Sequence, residues 1–167
     1  MKRIVCFGEA LIDFLNTGQI PDGKLALNTF TQDPGGAPAN VAVAAAKLGG
    51  NAAFAGQVGD DPFGHFIVEA LELYGVDISL TAYHPDAPTA LAFVFLDDNG
   101  ERSFAFRRDR TADVVFGKDQ VDKTWFTGES IVHFCSNTLT EAPIADVTRH
   151  VVAEALKYLS LIHISEP

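Results

Sequence analysis

Strand-forming and helix-forming segments alternate along this chain, and their order is the strongest constraint on its fold. Three short apolar runs predict buried strands, at residues 3–8, 52–59 and 130–136. Three segments with helical periodicity predict helices, at residues 38–48, 62–74 and 141–158. This order is typical of an α/β fold, in which crossover helices connect the strands of a parallel sheet.

Residues 89–107 interrupt this alternation with a predicted β-hairpin. Two strand-like runs, 89–96 and 101–107, flank the sequence DDNG, whose Asn-Gly pair is a strong turn signal. We expect this hairpin to belong to a separate, smaller sheet. Residues 9–34 contain many turn-forming residues, so we expect irregular structure there with one or two short strands.

Composition and charge exclude several classes of function. The 167 residues carry a net charge of −10, whereas nucleic-acid-binding proteins are usually basic. No apolar run approaches the ~20 residues that span a bilayer, and the acids near the N-terminus do not fit a signal peptide. Cys6 and Cys135 lie far apart in apolar runs, as free thiols do in a reducing compartment. These features predict a cytoplasmic protein that binds neither nucleic acid nor membrane, and no metal-site spacing occurs.

Asp13 is the first candidate binding residue, because it closely follows the first predicted strand. Ligands of α/β proteins bind at the carboxyl ends of parallel strands. A carboxylate at that edge can accept strong hydrogen bonds from sugar hydroxyls. The alternative is a solvated acid in a loop.

The segment GGAPAN, residues 35–40, is the second candidate. Gly35 and Gly36 lack a Cβ atom and would let a ligand approach the backbone closely. The helix that begins at Pro38 would carry Asn40 in its first turn, where the amide offers a donor and an acceptor to a polyol. The alternative is a helix entry with a cap and no ligand.

The pattern Gly18-x-x-x-x-Gly23-Lys24 looks like a phosphate-binding loop but lacks its other parts. Leu25 stands where a Ser or Thr would hold Mg²⁺, and no helix is predicted directly after it. We therefore predict no phosphate site in this segment.

Together these motifs resemble the ribokinase-like carbohydrate kinases, also called the phosphofructokinase-B type. GEALID (8–13) resembles the family's opening strand and its sugar-binding aspartate, and residues 35–64 resemble its N-terminal signature. The hairpin at 89–107 resembles the lid strands of the family. GEALID, FRRDRTAD (106–113) and HFCSNTLTEAP (133–143) are most similar to the fructokinase branch.

The resemblance implies a ribokinase-like α/β fold, in which a parallel sheet with flanking helices carries a small β lid formed by residues 14–32 and 89–108. It implies transfer of the γ-phosphoryl group of ATP to a hydroxyl of a sugar, with fructose as the expected substrate. Mg²⁺ is the expected metal, with a monovalent cation as a further option. Family members often pair through their lids, which implies a homodimer. By the same resemblance, five residues would hold the sugar: Asp13, Gly35, Gly36, Asn40 and Arg108.

No residue of this chain is predicted to be the catalytic base. In the family, the base is an aspartate of a C-terminal GAGD-like motif, whose glycine-rich helix start also binds the transferring phosphate. No such motif occurs in this sequence. We therefore expect a truncated chain, with residues 1–157 as the N-terminal part of a kinase domain and 158–167 as a tail foreign to the family. A natural short protein with a terminal edge strand is the alternative.

Two other functions stay open from the sequence. The same family contains kinases for other sugars, sugar acids and nucleosides, and Arg108 would suit the carboxylate of a sugar acid. The other is a non-catalytic sugar-binding module, which the missing base motif would explain.

Overall fold

The computed structural model describes residues 2–96, 99, 101–126, 130–158 and 161–165. The strands and helices follow the chain in this order: β1 (Arg3–Phe7), β2 (Leu11–Asp22), β3 (Leu25–Gly35), α1 (Ala37–Lys47), β4 (Asn51–Gly59), α2 (Pro62–Leu73), β5 (Asp77–His84), β6 (Ala90–Leu96), β7 (Arg102–Arg107), β8 (Ser130–Cys135), α3 (Ala142–Lys157) and β9 (Leu161–Ser165). Each strand and helix predicted from the sequence with its own first and last residue is present. Each end differs from the predicted one by at most one residue. None of the helices in the described part of the chain is long and apolar enough to cross a lipid bilayer.

The larger sheet has the strand order β5-β4-β1-β8-β9, and all its neighbouring strands are parallel, as predicted. In its centre, Val5 of β1 pairs with Ala53 on one side and Val132 on the other, and all three side chains are fully buried. The sequence does not predict the edge strand β5, because its residues are mostly half-buried and form no continuous apolar run. At the other edge, β9 pairs with β8.

Each face of the larger sheet carries its own hydrophobic cluster, because successive residues of a strand point to opposite sides. Cys6 belongs to the cluster beneath α1 and α2. Its neighbours Val5 and Phe7 belong to the cluster beneath α3, which also contains Trp125 and Phe126. Helices therefore cover both faces, as is usual for a parallel sheet.

The smaller sheet has the strand order β3-β2-β6-β7. This confirms that the predicted hairpin, β6 and β7, belongs to a separate, smaller sheet. The prediction of irregular structure for residues 9–34 is wrong, because β2 and β3 form a long antiparallel hairpin that turns at Gly23. Most residues of this hairpin are exposed or half-buried, so its sequence lacks the apolar alternation that marks a strand. In the β6–β7 hairpin, the predicted turn residues Asp97, Asp98 and Gly100 lie outside the described residues.

Aromatic rings join the smaller sheet to α2. Phe14 of β2 stacks on Phe93 of β6 with ring centroids 5.1 Å apart. Phe63 of α2 meets the ring of Phe14 edge-on at 5.8 Å, and Phe30 of β3 meets that of Phe93 at 5.9 Å. These contacts fix one face of the smaller sheet against the helix, so that its other face is available for a ligand.

Candidate functional site

Asp13 lies on the face of the smaller sheet opposite these rings. It is the third residue of β2 and is half-buried, so it is not the solvated loop acid that the sequence left open as the alternative. In the register of the sheet, Asp13 lies beside Ala92 of β6, which lies beside Phe106 of β7. Residues paired across neighbouring strands point to the same face, so Asp13 and Phe106 share one surface.

Gly35 makes room for the Asp13 carboxylate. A Cβ atom at Gly35 would overlap the Oδ2 atom of Asp13. Asp33 pairs directly with Asp13 across the β2–β3 hairpin and points to the same face. Burial, followed by the negative charge of Asp33, raises the pKa of Asp13 above its ordinary value. Hydroxyl donors of a ligand would therefore stabilise the ionised carboxylate at this position.

Gly36 connects the smaller sheet to α1. It is the N-cap residue of that helix, with a φ of 101°, and a Cβ atom there would come within 2.5 Å of the Glu9 carbonyl oxygen. The backbone N–H of Asn40 donates to the Gly36 carbonyl oxygen at 2.9 Å, so Asn40 lies in the first helical turn, as predicted. Asn40 is exposed and lines, together with Gly35, a cavity of about 260 Å³ between α1 and α2.

Two phenylalanines extend the face that carries Asp13. Phe104 and Phe106 of β7 stack on each other with ring centroids 5.9 Å apart, and they are 54% and 55% exposed. Across the sheet, Phe104 pairs with Val94 and Phe106 with Ala92, and both partners are buried. Sequence reasoning noted the alternation of these rings along the strand but assigned them no role, although exposed rings on one strand are a signal for a binding surface.

Arg108 follows β7 and has its guanidinium between two acids. Its Nε donates to Oδ2 of Asp113 at 2.6 Å, and its Nη2 lies 3.9 Å from Oε2 of Glu9. Burial alone would lower the pKa of Arg108, but the charge and hydrogen bond of Asp113 and the charge of Glu9 raise it overall. Arg108 therefore stays fully charged although its side chain is largely buried.

Sequence reasoning gave no role to Glu9 or Asp113. Both residues lie inside motifs that the sequence makes visible, GEALID and FRRDRTAD. The structure shows that both acids are buried, and a buried acid needs a charged or hydrogen-bonding partner. Glu9 also accepts a hydrogen bond from Nδ2 of Asn137 at 3.1 Å, and the Cys135 sulfur lies 3.6 Å from its Oε1. These contacts join the end of β1 to the end of β8.

The structure thus brings four of the five predicted residues into one connected group. Asp13 touches Gly35, its neighbour Gly36 touches the backbone of Glu9, and the Glu9 carboxylate faces Arg108. The fifth residue, Asn40, lies on the α1 side of the glycine pair. A carboxylate acceptor, a buried cation and exposed rings form a surface suited to a polyhydroxylated ligand with apolar C–H faces.

Comparison with known proteins supports the same reading of the fold. The model of the pfkB family carbohydrate kinases matches residues 1–160. Probable fructokinase-7 of Arabidopsis thaliana is 45% identical over 141 residues, which cover 84% of this chain and 40% of the plant protein.

Solved structures agree with this match. The Xylella fastidiosa fructokinase with bound ATP has a TM-score of 0.90 and 42% identity, and the match covers 98% of this chain and 51% of that one. The Vibrio cholerae O395 fructokinase in its fructose, ADP and calcium ion bound form has a TM-score of 0.82 and 34% identity, with 98% and 50% covered.

The match extends over nearly the whole chain but over only part of each relative. The chain spans 40% of the plant protein and about half of each bacterial one. All five predicted sugar-binding residues lie inside the matched region, whereas residues 161–167 lie outside it. By its sequence and by its fold, the chain belongs to the pfkB family of carbohydrate kinases.

Proposed function

We propose that this protein is an ATP-dependent carbohydrate kinase with fructose as its substrate, and that this chain supplies the sugar-binding part of the active site. Membership of the family supports the reaction class, and relatives named as fructokinases support the sugar. The observation that carries the proposal is the Asp13 carboxylate held against Gly35, on the face that also presents Phe104 and Phe106.

In this proposal, the chain binds the sugar by its hydroxyls and by its apolar face. Asp13 accepts hydrogen bonds from sugar hydroxyls, and the exposed amide of Asn40 can donate and accept. Gly35 and Gly36 let the ring approach the backbone without a Cβ in the way. Nη2 of Arg108 donates to a further sugar oxygen.

The β6–β7 part of the smaller sheet acts as a lid over the sugar. Phe104 and Phe106 lie on the surface that faces the ligand, and their rings would pack on sugar C–H groups. Rings in that position exclude water, so that a phosphoryl group passes to the sugar and not to solvent.

ATP with a metal cation supplies the phosphoryl group in this reaction. The phosphate-loop-like segment 18–24 does not fit a nucleotide, because it lies along the exposed end of the β2–β3 hairpin and not at the start of a helix. We therefore assign no residue of this chain to the nucleotide, to Mg²⁺, to a monovalent cation or to the catalytic base.

The test is ATP-dependent phosphorylation of fructose by the product of the complete reading frame that encodes this chain. We expect Asp13→Asn to lower kcat/KM for fructose roughly 10–100-fold, since it removes a charged acceptor. Asp22→Asn is the matched control, because it makes the same change on the same strand at the exposed hairpin end. Equal losses in the two variants would contradict the proposal, and fructose binding without turnover would favour the non-catalytic alternative.

We also propose that two copies associate through the lid. Besides the two phenylalanines that face the sugar, the described lid strands expose several large apolar side chains: Ile20, Leu25, Leu27 and Leu96. Monomeric proteins rarely expose so many on one small element. A second lid packed against this surface would bury them.

The cysteines support a cytoplasmic location. Cys6 and Cys135 are free and buried, and burial raises the pKa of the first thiol to about 12. Burial, together with the nearby Glu9 carboxylate, raises the pKa of the second to about 11. Thiols of this kind suit a reducing compartment. Fluorescence microscopy of the tagged protein tests this, and a signal confined to an organelle or the cell exterior would contradict it.

A further inference from the structure

The charge of Arg108 is already compensated by acids of the chain itself. Asp113 binds its Nε at 2.6 Å, Glu9 lies 3.9 Å from its Nη2, and the three side chains are at least nine-tenths buried. Thr111 donates its hydroxyl to the other carboxylate oxygen of Asp113 at 2.5 Å. Nδ2 of Asn137 likewise donates a hydrogen bond to Oε1 of Glu9 at 3.1 Å. Two fixed carboxylates thus surround one guanidinium.

Further acids lie near this group. Glu141, the N-cap residue of α3, adds a negative charge that acts on Arg108. Asp13 and Asp33 lie opposite each other on the lid face, beyond the glycine pair. A ligand that carried a carboxylate would therefore meet an excess of negative charge, whereas a neutral hydroxyl would not.

Arg108 nevertheless keeps a donor for a ligand. Its Nη2 is buried and has no hydrogen-bond partner among the residues that the structure describes. Arg108 and Phe106 both line a cavity of about 400 Å³ at the end of β7, so there is space for a ligand beside the arginine. A buried donor without an acceptor is destabilising, so a neutral oxygen at this point would satisfy it without adding charge.

We propose that Asp113 is a specificity-determining residue: by compensating the charge of Arg108, it makes the site accept neutral sugars and reject sugar acids. The inference rests on the proposed sugar-kinase function and adds the class of substrate that the site excludes. An arginine without such a partner would attract a carboxylate, because a guanidinium pairs with carboxylates in two parallel hydrogen bonds.

The experiment compares a neutral sugar with a sugar acid on three proteins made from the complete reading frame. Asp113→Asn keeps the shape of the side chain but removes its charge. Asp22→Asn is the matched control, because it removes the same charge at the exposed end of the β2–β3 hairpin, outside the cavity that Arg108 lines. Dissociation constants for fructose and gluconate are measured by calorimetry, and kcat/KM is measured for both.

We expect the wild type and Asp22→Asn to prefer fructose strongly. Asp113→Asn should shift the ratio of fructose to gluconate affinity toward gluconate by roughly tenfold, or about 1.4 kcal/mol. If Asp113 only supported the fold, both affinities would fall together, and an unchanged ratio would overturn the inference. A wild type that binds gluconate as tightly as fructose would overturn it as well.

Glu9→Gln provides a second variant in case Asp113→Asn does not fold, which circular dichroism would show. It removes the other carboxylate beside Arg108, and we expect the ratio to move in the same direction. An unchanged ratio in an enzyme that phosphorylates fructose contradicts this inference alone. A wild type that neither binds nor phosphorylates fructose contradicts the proposed function, and this inference with it.

Discussion

The two glycines before α1 are needed for different physical reasons, and single substitutions can distinguish these reasons. A Cβ atom at Gly35 meets the side-chain end of Asp13 first, which can rotate away. A Cβ atom at Gly36 meets the backbone carbonyl of Glu9, and its positive φ disfavours any side chain.

We therefore expect Gly35→Ala to keep the fold but to displace the Asp13 carboxylate and weaken fructose binding roughly tenfold. Gly36→Ala should instead lower the free energy of unfolding by about 1–3 kcal/mol. Denaturant unfolding and calorimetric titration of both variants check this. Equal losses of stability in the two variants would show that the distinction is wrong.

Asp13 links pH to stability and to binding with opposite signs. Burial and then Asp33 raise its pKa in the folded chain, so over part of the acidic range the folded state binds a proton that the unfolded state releases. The stability from this group is fully present below the unfolded pKa and is lost as pH rises through the folded pKa. Sugar affinity increases over the same range, because the ionised carboxylate is the better acceptor.

We expect Asp13→Asn to remove the contribution of this carboxylate to the pH dependence of stability and to that of sugar affinity. The variant should be more stable than the wild type at neutral pH, with a flatter stability profile, and its remaining sugar affinity should not change with pH. Thermal unfolding and fructose titrations from about pH 4 to 8 test this. A wild type whose fructose affinity is constant over that range would refute the role of the Asp13 charge.

At the scale of elements, Asp61 joins α2 to the start of the lid strand β6. Its carboxylate accepts hydrogen bonds from the backbone N–H groups of Phe63 (3.1 Å) and Gly64 (2.8 Å), and from the N–H and hydroxyl of Thr89 (both 2.8 Å). We expect Asp61→Ala to cost about 2–3 kcal/mol of stability, because it removes a helix cap and leaves buried donors unpaired. Asp60→Ala changes the charge equally at an exposed position and should stay within about 0.5 kcal/mol. Equal effects in urea unfolding would contradict this role.

The sequence predicts those elements whose residues carry their own local signal. The helices from Ala37 and Pro62 have prolines in the first turn, and buried strands such as β4 are continuous apolar runs. The β2–β3 hairpin carries no such signal, since its strands are largely exposed and are held by pairing with each other and with β6. Local propensity cannot reveal a strand that forms only because a partner lies beside it.

At the scale of the whole molecule, the exposed lid surface predicts self-association. We expect the product of the complete reading frame to sediment as a dimer at micromolar concentration, and the double variant Leu25→Ser/Leu27→Ser to shift it toward monomer. Leu73→Ser is the control, because this side chain is 78% exposed but lies at the end of α2, outside the lid. A monomeric wild type, or equal dissociation in the control, would disprove the lid interface.

The sequence by itself determined the α/β order, the family resemblance and the motifs that contain Asp13, Gly35, Gly36, Asn40 and Arg108. These follow from local features: apolar runs, prolines, glycine pairs and short motifs. Only the tertiary structure decided that Asp13 shares a face with Phe106, and that Glu9 and Asp113 enclose Arg108. Strand register and the packing of segments far apart in the chain set these contacts, and no local pattern encodes them.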